Sequence, residues 1–239
     1  TLSGWMLGEI TYRLSSELLD DGASGSPRLL RELGATAISP MRGWNRLYDG
    51  EAWRHGPPPI RRAVAAALHV GIDAVRSDHE ESPTSYGPSL LLAADIRYGS
   101  VSPLDPSDRI RPLTFFELYA GINLFDSELQ GAQVYSTGLL YGWGHGLRNG
   151  TGSNVFGFAT TYEFQGSNLV TYGGVGLGPA DYLTVGLGKR RSLRIGAGVD
   201  VVPVLGITSG FLLGTERGYK FGAGTALWGS VVLDLARAG

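Results

Sequence analysis

The sequence predicts a mostly β protein, an antiparallel, transmembrane-type β-barrel of about eight strands, the count open to more, preceded by an N-terminal α-helical segment. Three observations lead there. The apolar spacing changes from four residues to two near residue 58. The period-two stretches reach ten residues or more, long for a soluble strand (about 5–6 residues) and suited to a tilted membrane strand (about 9–11). Their polar faces mix charge with Gly, Ser and Ala, where a soluble barrel's outer face carries more Lys and Glu.

The helical part is read as residues 1–58 and the strand part as 59–239. Met6, Ile10, Leu14 and Leu18 fall four apart and predict a helix over 5–21, ended by Asp20, Asp21 and Gly22. Ser26 suits an N-cap with Pro27 at the first helical position, and Leu29, Leu30, Leu33 and Ala37 form a second apolar face. Pro40 ends or kinks that helix, and a short turn of helix follows before Gly50. The stretch 55–60, HGPPPI, is a stiff hinge.

Strands follow over 64–74, 86–98, 113–125, 154–165, 193–203 and 219–235. Tyr86 and Tyr98 bracket one of them at a spacing suited to two membrane interfaces. Segments 131–147 and 168–188 are strand-like too, the second either one long strand or a hairpin turned at 178–181. The glycines of TYGGVGLGP lack the Lys-Ser/Thr of a nucleotide loop and instead suit curvature or a close backbone approach, such as a helix against the wall.

Bulk properties narrow the function. Net charge is −2 over 239 residues, with pI near 6.1, so no basic field attracts nucleic acid. The chain has no cysteine, which excludes disulfides and thiolate zinc sites. No apolar run reaches the roughly 18 residues of a transmembrane helix. The first residue is Thr1 and the last residues are LARAG, without the terminal aromatic common in outer-membrane chains. The sequence is therefore expected to be processed or a fragment, with a barrel that continues or closes differently.

Gly8, Glu9, Arg13, Leu14, Ser15, Asp20 and Asp21 are followed by Arg28, Arg31 and Glu32, then Pro40, Gly43, Asn45, Arg46, Leu47 and Gly50. This order resembles an uncharacterised family of bacterial envelope proteins over about residues 5–55. The resemblance implies an envelope protein with helices attached to β-strands, and implies no reaction.

The expected placement is the bacterial outer membrane, with lipid or lipopolysaccharide and other envelope subunits as partners and no cofactor or metal. The role is structural, binding or transport-related. Its polar network would join Glu9, Arg13, Arg31, Glu32 and Arg46 of the helices to Asp73, Asp95, Arg97, Glu117, Glu163, Arg194 and Asp200 of the strands, the helices plugging or capping the lumen. Lys220 and Asp234 share the polar face. Two alternatives stay open, a soluble small-ligand carrier barrel and a membrane-embedded lipid hydrolase. For the hydrolase the weak candidates are His69 with Asp73, and His145 with Ser136, although regular parity places Ser136 and His145 on opposite faces. An acidic turn, Asp78, Glu80 and Glu81, would suit calcium, though a solvated turn explains it as well.

Overall fold

The computed structural model describes residues 2–56, 62–73, 89–100, 111–125, 128–147, 151–167, 170–188, 191–209 and 219–235. The chain divides into two compact units, Thr1–Ala63 and Val64–Gly239. The acidic turn at 78–81, His79, Tyr86 and most of the hinge lie outside the described residues.

The first unit holds α1 (Leu2–Leu18), α2 (Ser26–Ile38), α3 (Pro40–Tyr48) and one turn of 3₁₀ helix, Glu51–Trp53. Met6, Ile10 and Leu14 are buried as their spacing predicts, but Leu19 takes the place expected for Leu18 because the helix ends there. Ser26 is helical rather than a cap; Gly25, at φ 67, precedes it without a capping side chain. Pro40 starts α3, where its missing N–H costs nothing.

On α2 the expected faces are exchanged. Leu29, Leu30 and Leu33 are exposed, and Arg28 and Ala35 are buried. Charge explains the exchange. The Arg46 guanidinium gathers Asp21 at 2.7 Å, Glu32 at 2.9 Å and Glu51 at 3.5 Å, tying the α1–α2 turn, α2 and the 3₁₀ turn to α3. Arg28 donates to the Arg54 carbonyl at 2.5 Å, and Arg31 pairs with Asp20. Arg42 lies over the Tyr12 ring at 4.1 Å and donates to Ser15 Oγ at 2.9 Å. Turning α2 inward by its leucines would strand these buried charges. Burial alone lowers the Arg46 guanidinium pKa, but hydrogen bonds with Glu32 and Asp21 outweigh it and hold it above its ordinary value.

The second unit is one antiparallel sheet in sequence order: β1 (Val64–Asp73), β2 (Ser89–Tyr98), β3 (Phe116–Phe125), β4 (Glu128–Gly146), β5 (Gly152–Ser167), β6 (Val170–Gly186), β7 (Arg191–Ser209) and β8 (Tyr219–Leu235). Segment 168–188 is thus one long strand, not a hairpin. β1 and β8 are edges, and no ladder joins them among the described residues, so the sheet is curled but not closed. Its curl is fixed by pairs between distant strands. Glu117 on β3 meets Arg194 on β7 at 3.2 Å, and Arg97 on β2 meets Asp234 on β8 at 3.2 Å.

Four ladders carry a register shift, and two of these bear on the site. A register shift between Leu139 and Tyr141 inserts a residue into β4. A second, between Val202 and Leu205, bends β7 around Pro203, where the ladder needs no donor. Tyr98, expected to be presented outward, is 3% exposed and stacked on Phe116 at 4.8 Å.

Replacing Arg46 with Met keeps the stem and removes the charge. Amides of α2 and α3 are then expected to exchange with deuterium roughly 30-fold faster, equivalent to about 2 kcal/mol. Unchanged protection would mean that the helices do not depend on this hub.

Candidate functional site

The concave side of the sheet is built from alternate residues of each strand. Its wall carries Asp95, Arg97, Glu117, Tyr119, Tyr135, Thr161, Arg194, Asp200, Trp228 and Ser230. The opposite side carries the apolar residues, and many are bare: Leu68, Val70 and Ile72 on β1, Phe156 and Phe158 on β5, Val199 and Val201 on β7, and Leu227, Val231 and Leu233 on β8.

One end of the concave side is filled. Phe115, just before β3, packs with Leu139, Val155, Ala159, Ala180 and Tyr182 in one buried cluster. Phe115 meets Tyr182 edge-on at 5.2 Å, and Tyr182 meets Trp228 at 5.8 Å, so a chain of rings crosses from the β3 side to β8. Gly198 makes room for it; a Cβ there would stand 2.5 Å from the Trp228 ring. The Arg194 guanidinium lies 5.1 Å from the Phe115 ring centre while it holds Glu117. The pair's side chains are 11% and 15% exposed, so each partner compensates the other's desolvation.

Beyond the rings the wall opens into two cavities that share Tyr135. One, of about 510 Å³, is lined by His69, Asp95, Arg97, Glu117, Tyr119 and Ser230 among others. The other, of about 310 Å³, is lined by Thr161, Glu163, Asp200 and Trp228. Asp200 is fully buried and accepts a hydrogen bond from Thr161 Oγ1 at 2.7 Å. Gly176 leaves the space for this contact: a Cβ there would stand 2.5 Å from Thr161 Oγ1 and 2.8 Å from Asp200 Cβ. Side chains of the neighbouring strands stand close at this glycine. Glu163 accepts from the Tyr172 hydroxyl at 2.5 Å.

Within each unit, members of the expected polar network are placed as follows. Glu9 pairs with Arg13 at 2.8 Å, Arg31 with Asp20, and Glu32 with Arg46, all within the helical unit. Asp95, Arg97, Glu117, Glu163, Arg194 and Asp200 share the concave wall. The side chain of Asp73 lies outside the described residues.

Among the described residues the hydrolase candidates gain no nucleophile–base contact. The bulge in β4 places Ser136 and His145 on one face, contrary to simple parity, since they pair with Tyr162 and Asn154. Those partners are eight residues apart, roughly 27 Å along β5. Ser136 Oγ is buried without a partner. Ser230 Oγ shares a cavity with His69 but has no hydrogen-bond partner either. Among the described residues no group of acidic, His or Cys side chains could hold a metal.

Trp228 and Thr161 fall on the polar face by parity, but nothing local in the sequence marks their role. The available signals were a tryptophan opposite Gly198 and a proline, Pro203, three residues from Asp200. No described protein family, curated protein or solved structure matches the chain.

Glu117→Gln or Arg194→Met alone is expected to lower unfolding stability by about 3 kcal/mol. The double variant loses less than the sum, because neither charge is then left unpaired. Urea unfolding of the three variants checks this, and additive losses would contradict it.

Proposed function

We propose that the strand unit is an outer-membrane β-barrel, or the greater part of one, whose interior is a binding cup rather than an open conduit. The observation that carries this reading is the inverted sheet. Large apolar side chains stand bare on the convex side, Leu68 at 85% and Leu227 at 83% exposed, while charged and hydrogen-bonding groups face inward. Water would penalise a continuous surface of that kind; lipid would solvate it, and the strand lengths suit a tilted crossing. No described helix is long and apolar enough to cross a membrane, so crossing would fall to the strands.

The cup follows from the filled end. The rings of Phe115, Tyr182 and Trp228 leave the polar cavities as recesses above a packed floor. On the wall Arg194 pairs with Glu117, Arg97 pairs with Asp234, and Asp200 accepts from Thr161, compensation that an interior sheltered by lipid favours. The groups named for the cup all come from the strands. Membrane lipid is the first partner this reading names.

The test is folding by solvent. The chain is expected to acquire its strand content and heat-modifiable migration only in detergent or lipid. Leu227→Arg separates the alternatives sharply. On a lipid-facing surface it costs about 2–4 kcal/mol near the midplane; on a water-facing one it is close to neutral. A detergent-free folded monomer, with the Leu227→Arg form equally stable, would replace this reading with the soluble carrier.

A further inference from the structure

We infer that the helical unit has a lipid-facing surface of its own: the outward sides of α2 and α3 rest in the interfacial layer of the bilayer that the strands cross. The inference rests on reading the strand unit as a membrane barrel.

The helical unit is inside-out. The charged side chains of residues 26–48 are Arg28, Arg31, Glu32, Arg42 and Arg46, and each is buried or half-buried. Each is engaged within the unit: Arg46 with Glu32, Arg31 with Asp20, Arg28 with the Arg54 carbonyl, and Arg42 with Ser15. The outward positions are apolar instead. Leu29, Leu30 and Leu33 stand out from α2. On α3, Met41, Trp44 and Tyr48 recur at three and four residues and are exposed, while Arg46 is buried on the opposite side. These side chains form one surface, because Leu29, Leu33, Leu47 and Trp53 line a single recess of about 390 Å³. A unit solvated only by water carries its charges outward and breaks up such a surface.

Lipid is the occupant that fits. A protein partner's interface combines apolar contact with a polar rim and many hydrogen bonds. Over residues 26–48 this face exposes no charged side chain. Trp44, Tyr48 and Trp53 stand where exposed polar residues resume, at Asp49, Glu51, Arg54 and His55. Rings with an apolar body and a polar tip suit the headgroup level, and leucines suit the acyl side. Reach favours the same bilayer. Residues 54–63 join Trp53 to β1, a stretch that spans at most about 40 Å when fully extended. A membrane crossed by β1 is therefore always within reach of this face.

Fluorescence quenching on the full chain, folded into phosphatidylcholine vesicles, tests the surface. The chain has no cysteine, so a nitrobenzoxadiazole label is placed by Leu33→Cys, by Trp44→Cys and, on the strand unit, by Leu227→Cys. Labels at 33 and 44 should lose fluorescence in vesicles of brominated phosphatidylcholine and resist aqueous iodide. Both positions are exposed; if one labelled form gives no heat-modifiable band, the other carries the test. Quenching by iodide would place the face in water. Protection from both quenchers would mean that protein covers it, a second copy of the chain or another partner. Either result overturns the inference. A label at 227 quenched by bromolipid, with 33 and 44 not quenched, defeats this inference alone. Iodide reaching 227 defeats the membrane reading of the strands, and the labels at 33 and 44 then decide the helical face by the same two quenchers.

Discussion

Two ion pairs between strands that are not neighbours set the geometry on which the strand unit depends. Glu117 and Arg194 belong to β3 and β7, and Arg97 and Asp234 to β2 and β8. In a flat sheet these strands would be far apart, and their charges would need water. The curl brings them within 3.2 Å and gives the sheet an inside. Once the inside is polar, strict alternation sends the apolar residues of every strand to the outside. The exposed leucines of β1 and β8 and the buried pair on β3 and β7 are consequences of one arrangement.

Aromatic packing then makes the two ends of that inside unlike. Phe115, Tyr182 and Trp228 need glycine beneath them, and Gly198 supplies it for Trp228. The Arg194 guanidinium serves both neighbourhoods, lying by the Phe115 ring and binding Glu117. Past this layer the wall turns acidic around Asp200 and Glu163 and mixed around His69, Asp95, Arg97 and Glu117. The helical unit solves its own problem with a different device. It buries little apolar surface on α2 and relies on Arg46 to satisfy three carboxylates at once.

Much of this architecture was legible in the sequence. Period two identified six strands and marked 131–147 and 168–188 as strand-like, and the polar parity named most of the concave wall, because alternation is a local property that the ladder preserves. What failed was whatever local periodicity cannot carry. One inserted residue near Leu140 returned Ser136 and His145 to the same face. A second irregularity, for which Pro203 was the visible signal, lies beside Asp200. The leucine face of α2 was read inward because apolar spacing was weighed without the charges; Arg28 and Arg46 needed burial with their acceptors more. The special place of Asp200 among several wall carboxylates depends on Thr161, Gly176 and Trp228, which come from three other strands.

The account stands or falls on which solvent meets the convex face. The chain contains no cysteine, so single cysteines can be introduced along β8 from position 225 to 235 and spin-labelled in lipid vesicles. Collision with oxygen, which partitions into lipid, is compared with collision with a water-soluble nickel chelate. The account predicts a period of two: labels at 227, 231 and 233 meet oxygen and not nickel, and labels at 226, 228 and 230 do not share that lipid signature. Labels at 227, 231 and 233 that meet nickel freely would place the convex face in water and contradict it.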